Sequence, residues 1–562
     1  MKAKTCSMKS RWMVLTLLVV VLASPALAYK GHTDYFKNGF EGAKSCLMCH
    51  GAKADEVMDS VHYQWRSENP LVEFPGGGSH GMLDRACGLV GSNALVNYDQ
   101  QCGRCHIGDA LPFPDPQTGQ FTTTQKHNLD CLICHAGDGM YDTNNDGVSE
   151  AGELADDKPR VQNETGVSVW HQDRRVEAAQ SVGGPVTTEA CLRCHHHGQA
   201  DYSYKRGTPF TPETDVHAAA GMTCTDCHET EHHKIARGSR VTDMFAWERQ
   251  DVDVSCEKCH EDDPHKTQTV LNLHTNRIGC ETCHIPELAG AQRRIWAPTL
   301  GVTEGPEANV PIYDEASGQW LPYTKLDEEL RAPAYRWFNG ASSMLAEPVA
   351  DPGAWNMQPA VRNTEDAKIL PFRHFVSGQP MDGRGIPGMP DFDPMFTMQA
   401  ALEQMAPMLK MAGFMRPEGL TEAEANMMSQ FPNMLIMDRA DYFANGDVAA
   451  SVSIGMAKQG AFMQGMDIST MSREELIGMG SAMWSGQAVG LDLPENPYAP
   501  NYVDDADPTT VTGSFITVSH AVKKQGALSC DDCHTENGRL DFAALGYSEE
   551  RQMRLKTIQC EN

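Results

Sequence analysis

Residues 224–284 carry one short pattern three times: Cys224-Thr225-Asp226-Cys227-His228, Cys256-Glu257-Lys258-Cys259-His260 and Cys280-Glu281-Thr282-Cys283-His284. Working outward, the same Cys-x-x-Cys-His recurs with Cys46, Cys49 and His50; Cys102, Cys105 and His106; Cys131, Cys134 and His135; Cys191, Cys194 and His195; and, far downstream, Cys530, Cys533 and His534. These eight copies take sixteen of the 19 cysteines. Two thiols at this spacing add across the two vinyl groups of a porphyrin, and the histidine that follows falls under the iron. Zinc knuckles would join CxxC pairs two by two and would not need a histidine behind every pair. Eight covalently bound haem c groups are therefore expected.

The N-terminus reads as an export signal. Lys2, Lys4, Lys9 and Arg11 form a positive stretch, residues 12–23 are apolar but short for a membrane span, and Ala26-Leu27-Ala28 resembles a cleavage site. An uncleaved anchor is the alternative. Residues 1–28 would leave as the signal and take Cys6 with them, so Cys87 and Cys560 remain as thiols outside the haem set. Haem attachment and oxidised thiols suit a periplasmic location, or the cell surface. No later segment is apolar enough to span a bilayer. The formal charge of -29 argues against nucleic acid as a partner. A small anionic substrate would need a local positive funnel, and a separate redox partner protein, a cytochrome or quinol-linked donor, is expected.

Seven motifs fall within residues 46–284, about 34 residues each, too few to build an apolar core around every one. The porphyrins themselves would then be the core. The expected fold is mainly α and loop-rich with little β. Its divisions are a seven-haem core at 29–290, an aromatic-rich packing segment at 291–380, a Met-rich helical insert at 381–495 and an eighth-haem segment at 496–562. Met381 to Met483 holds eighteen of the 30 methionines, with helical phasing in Met398, Leu402, Met405 and Leu409. Thr421 with Glu424 and Ser472 with Glu475 read as capping boxes. A copper site is one reading of the methionines; adaptable helix packing is the other and the preferred one.

Residues 142–153 fit a twelve-position calcium loop. Asp142, Asn144, Asp146, the carbonyl of Val148, Glu150 directly or through water, and bidentate Glu153 would supply oxygens, with Gly147 at the sharp turn. An acidic surface turn is the alternative to bound Ca2+.

Eight irons need eight sixth ligands, or seven if one is open. Histidines near a motif commonly serve a neighbouring haem, and His62, His217, His233, His265, His274, His374 and His520 are the expected donors. His32, His80, His127, His171, His196, His197 and His232 are left to solvent, propionates or structure.

Several further stretches carry a family likeness: Asp215-Val216-His217, Thr230-Glu231-His232-His233-Lys234-Ile235, Asp263-Pro264-His265, Leu273-His274-Thr275, Cys283-His284-Ile285-Pro286, and Asn537-Gly538-Arg539-Leu540-Asp541 after the last motif. With them the mature chain, apart from the calcium-type loop and the Met-rich insert, resembles the octahaem tetrathionate reductase family of periplasmic cytochromes. That resemblance implies seven bis-histidine haems and a catalytic second haem, bound through His106, with a lysine as distal ligand. Lys205 falls at the matching place, and Cys87 matches an isolated cysteine near the active haem. The seven donors are those the family pattern implies, with His374 one residue out of register. Two departures bear on the pocket: the Cys87–Cys102 segment is longer than usual, and His196 and His197 offer rival ligands to Lys205. From the residues alone, Lys205 reads as a surface lysine beside Arg206 on a propionate, and only the resemblance favours ligation; Cys87 is equally a buried thiol or a disulfide partner of Cys560.

The implied function is reduction of a small oxidised sulfur or nitrogen species, tetrathionate to thiosulfate, with nitrite or hydroxylamine as other substrates. A non-catalytic electron-transfer conduit is the alternative. An oxidase running in reverse would require a haem-linked tyrosine that no motif assigns.

Overall fold

In the computed structural model the described residues are, apart from isolated positions, 31–64, 120–137, 172–195, 210–238, 248–299, 301–340, 365–484 and 514–558, with short pieces between. The expected signal (1–28), Cys87, Cys102, Cys105, His106, Lys205, Cys560 and the calcium-type loop (142–153) lie outside them; of Cys194 and His374 only the backbone is described.

Among the described residues the molecule is helix-rich and loop-rich with mostly short strands, as the motif density requires. The haem-motif part runs through α1 (Ala43–Met58), α2 (Val61–Gln64), α3 (Thr123–His127), α4 (Leu132–His135), α5 (Gln172–Ser181), α6 (Thr188–His195), α7 (Val216–Ala219) and α8 (Cys224–Cys227). A hairpin follows, β1 (Thr230–Glu231) and β2 (Lys234–Ile235), then α9 (Thr269–His274) and α10 (Cys280–His284). Most motifs sit on a single helical turn, which places the two thiols on one side of it. Local chemistry starts two of these turns. Thr223 and Ser529 each form a capping box with an aspartate inside the motif, Asp226 and Asp532.

The haem-free region contributes a sheet that the sequence does not announce. Its long strand is β6 (Lys368–Asp382); β3 (Leu288–Ile295), β4 (Tyr323–Arg331) and β5 (Ala334–Phe338) give the order β5-β6-β3-β4. Two later strands, β7 (Ala488–Leu491) and β8 (Ser514–Thr517), also pair with β6. Pro371 and Pro380 inside β6 argue against a central strand when the sequence is read alone. The strand tolerates them because its partner changes along its length: β5 and β8 flank its first half, β3 and β7 its second.

The sheet returns the chain to the haem motifs. Ile369 in β6 exchanges backbone hydrogen bonds with Gly279 and Arg277 ahead of α10. Beyond β8, Lys523 N donates to His284 O and Leu528 N to Cys283 O. The eighth motif, on α16 (Cys530–Cys533), is thereby set beside the seventh despite the long sequence gap. Tyr335, Trp337 and Ile369 of the sheet pack with Cys533, Leu540, Phe542 and Leu545.

The Met-rich insert folds as α11 (Met398–Met411), α12 (Glu422–Met428), α13 (Arg439–Asn445), α14 (Val448–Gln464) and α15 (Arg473–Gly480). Both expected capping boxes are present, at Thr421/Glu424 and Ser472/Glu475. Met381, Met398, Met415, Met428 and Met434 bury into one apolar cluster with Leu402 and Phe431, so these thioethers serve as packing. Chain end helix α17 (Glu549–Lys556) closes the described structure.

Candidate haem-binding site

The structure brings histidines together in pairs. His50 faces His32 with ring centres 6.1 Å apart, His135 faces His233 at 6.3 Å, and His195 faces His62 at 6.3 Å. His228 faces His520 at 6.4 Å, His260 faces His217 at 6.2 Å, His284 faces His265 at 6.2 Å, and His534 faces His274 at 6.1 Å. Every pair joins one motif histidine to one histidine outside the motifs. The interplanar angles scatter from 8° to 75° while the separation hardly changes. Metal–imidazole bonds are about 2.0–2.1 Å and a ring centre lies about 1.1 Å behind its nitrogen, so two imidazoles across one metal stand about 6.3 Å apart. The rings are spaced for an atom between them rather than for contact with each other.

The free nitrogen of each ring follows from its partner. Carbonyl and carboxylate oxygens only accept, so a ring nitrogen bonded to one carries the proton. His32 Nδ1 donates to Val182 O (3.0 Å), His228 Nδ1 to Ala236 O (2.7 Å), His284 Nδ1 to Lys523 O (2.9 Å) and His534 Nδ1 to Leu555 O (2.8 Å). His233 Nδ1 donates to Glu56 Oε2 (3.1 Å) and His217 Nδ1 to Asp215 Oδ1 (3.2 Å). Each bond leaves Nε2 as the lone pair for a metal and fixes the ring's orientation. Burial, then neighbouring histidines, hold His62, His135 and His274 below the ordinary imidazole range, which keeps them neutral as ligation requires. The donor sets and adjacent thiols fit haem c.

Most of these ligand positions come from loops or very short elements that the fold must brace. His233 sits at the tip of the β1–β2 hairpin, where both His232 (φ 51°) and His233 (φ 62°) are left-handed. Such a two-residue turn prefers Asn-Gly, so two histidines there carry a conformational cost. Buried Glu248 ties this hairpin to α2: Val61 N donates to its Oε1 (2.7 Å) and Ile235 N to its Oε2 (3.3 Å). Burial pushes the Glu248 carboxyl up, against the pull of those two donors.

The motifs also neighbour each other. Cys46 lies beside Cys131, Cys191 beside Cys224 and Cys256 beside Cys280. Cys227 interacts with Cys259, and Cys283 with Cys530 and Cys533. The first motif therefore adjoins the third, and the fourth to eighth follow one another in order.

Of the donors expected from sequence, His62, His217, His233, His265, His274 and His520 each face a motif histidine. His32 does too, although the sequence reading left it to solvent or structure; its place depends on a contact with Val182, 150 positions away, which no local spacing reveals. His374 lies in β6 opposite Phe515, and its side chain is outside the described set. His232 is largely exposed and faces Glu56. No group of three or more His, Cys, Asp or Glu side chains among the described residues is arranged to hold a further metal ion.

Comparisons agree with this geometry. A family profile described as "Cytochrome c7 and related cytochrome c" matches residues 210–285, the stretch with the fifth to seventh motifs. The crystal structure of an octaheme cytochrome c from Shewanella oneidensis superposes with a TM-score of 0.55 at 22% identity, covering 92% of this chain and 97% of that one. An uncharacterized protein of Archaeoglobus fulgidus is 27% identical over 300 residues, covering 43% of this chain and 96% of the relative. Fold and motifs together define a multihaem c-type cytochrome with covalently bound haem c. The fold is that of an octahaem cytochrome c.

Proposed function

We propose that this chain is an exported, periplasmic octahaem reductase. Its substrate would be a small oxidised sulfur or nitrogen species, tetrathionate first, with nitrite or hydroxylamine as other substrates. The observation carrying the reading is the set of seven imidazole pairs. Among the described residues seven motif histidines have an opposing histidine, which is the number the family resemblance requires; the second motif lies outside the described residues, and the resemblance assigns it the different ligand. Haem c, when bound, would supply electron carriage at the paired positions and an openable metal site at the second motif.

The chain's own residues would do the rest. Cys102, Cys105 and His106 hold the group, and Lys205 caps it. An amine ligates only as the free base, so Lys205 must shed a proton to bind and can take one up on release. An imidazole fixed through Nδ1 lets go far less readily. Lys205, once released and protonated, and Arg206 beside it in sequence would attract an anion to a surface that is otherwise strongly negative. Cys87 would line the same pocket. Tetrathionate dianion takes two electrons at its central S–S bond and leaves as two thiosulfate dianions, with no proton needed; a redox partner protein supplies the electrons. In the same reading, residues 142–153 bind Ca2+ and brace the loop between the third and fourth motifs.

The test is viologen-driven reduction of tetrathionate, nitrite and hydroxylamine by the holoprotein and by Lys205→Ala. Turnover with one of these anions, altered in rate and pH profile by the substitution, is expected. No turnover with any of them, and a lysine variant spectroscopically identical to the parent, would leave a conduit.

A further inference from the structure

Six of the paired histidines donate through Nδ1 to acceptors of two kinds. His32, His228, His284 and His534 donate to neutral backbone carbonyls. His233 and His217 donate to carboxylates, Glu56 and Asp215. A carboxylate brings a full negative charge to the far side of the ring and draws its proton, giving the coordinating nitrogen more anionic character. That favours the oxidised metal and lowers its reduction potential relative to a carbonyl-bonded ring.

We propose that Glu56 and Asp215 are positioning residues that lower the reduction potentials of the haems of the third and sixth motifs. The inference rests on the reading of the imidazole pairs as axial ligands. Neither carboxylate is placed casually. Asp215 is buried, its side chain 1% exposed, and both oxygens are committed. Its Oδ1 also accepts from His217 N (2.8 Å), and its Oδ2 accepts from Val522 N (2.8 Å), two residues beyond His520. It thus fixes the ligand of the sixth motif to the segment carrying the ligand of the fifth. Glu56 lies on α1, one helical stretch beyond the first motif, and reaches the hairpin tip of His233. Lys53 (2.7 Å) and His232 (3.4 Å) share its charge, so its effect on His233 is the weaker of the two. Each group of adjoining motifs, the first with the third and the fourth through eighth, then holds one haem tuned in this way.

The experiment is an EPR-monitored redox titration of the holoprotein, of Asp215→Asn and of Glu56→Gln. Both substitutions keep size and an oxygen acceptor and remove the charge. One component should move to higher potential in each variant, further in Asp215→Asn, with every low-spin signal retained. His217→Met and His233→Met, which take away the ligands, identify the components concerned. Titrations that superimpose on the parent with low-spin signals intact would overturn carboxylate tuning and leave the ligand pairs standing. A His217→Met or His233→Met protein that keeps all its bis-imidazole signals would instead overturn the pairs themselves. Should Asp215→Asn fail to take up haem, Glu56→Gln, at a partly exposed site, decides the matter alone.

Discussion

His32 and His374 show what a single residue's sequence position conveys and what it hides. The donors His217, His233, His265, His274 and His520 lie within a few residues of a motif, and that nearness is legible. His32 is ahead of the first motif as well, but only its bond to Val182 and its 6.1 Å separation from His50 mark it as a candidate ligand. Replacing His32 with alanine is therefore expected to convert one low-spin haem to high-spin, seen in the Soret and charge-transfer bands of the oxidised protein. His374→Ala should leave those bands unchanged. The reverse pattern would restore the assignment made from sequence. The second motif is read from its spacing, but Lys205 and Cys87 are suggested only by resemblance, because an amine near a motif has no spacing rule of its own, and both lie outside the described residues.

Elements were legible where local chemistry dictates them. The capping boxes at Thr421 and Ser472 start α12 and α15 as read. β6 was not, because its prolines mask it and its stabilisation comes from four partners distant in sequence. The β1–β2 hairpin offers a direct test of stored strain. Glycine at His232 relieves a left-handed side chain without touching His233, and His232→Gly should stabilise by about 0.5–1 kcal/mol in urea unfolding. In the insert, a Cβ on Gly480 would stand 1.7 Å from Ser453 O, where α15 crosses α14. Gly480→Ala should cost about 1–3 kcal/mol by the same measurement. Asp441 gives the pH dependence. Burial opposes its charge, but Arg473, Ser451 and Asn445 together hold its carboxyl below the ordinary range. Its contribution is then fully present above about pH 4 and fades as pH falls through the lowered value. Hydrogen exchange in residues 439–484 should quicken in that acid window, and Asp441→Asn should show the faster exchange already at neutral pH.

The whole molecule is organised by its cofactor spacing. Motif density alone indicated that apolar side chains would not form a conventional core around each motif, and the helix-rich, loop-rich fold follows from it. What the density does not convey is how the eighth motif rejoins the others. That depends on β8 pairing with β6 and on Lys523 and Leu528 docking against the seventh motif. These are non-local hydrogen bonds with no signature in the chain. No helix among the described residues is long and apolar enough to cross a membrane. The central claim belongs to this scale: seven metal sites closed by two imidazoles and one closed by a releasable amine. Near-infrared magnetic circular dichroism of the fully oxidised holoprotein, recorded across pH, counts both kinds at once. The account predicts seven bis-imidazole bands and one histidine–amine band that is lost at low pH and absent from Lys205→Ala. Eight bis-imidazole bands at every pH would contradict it.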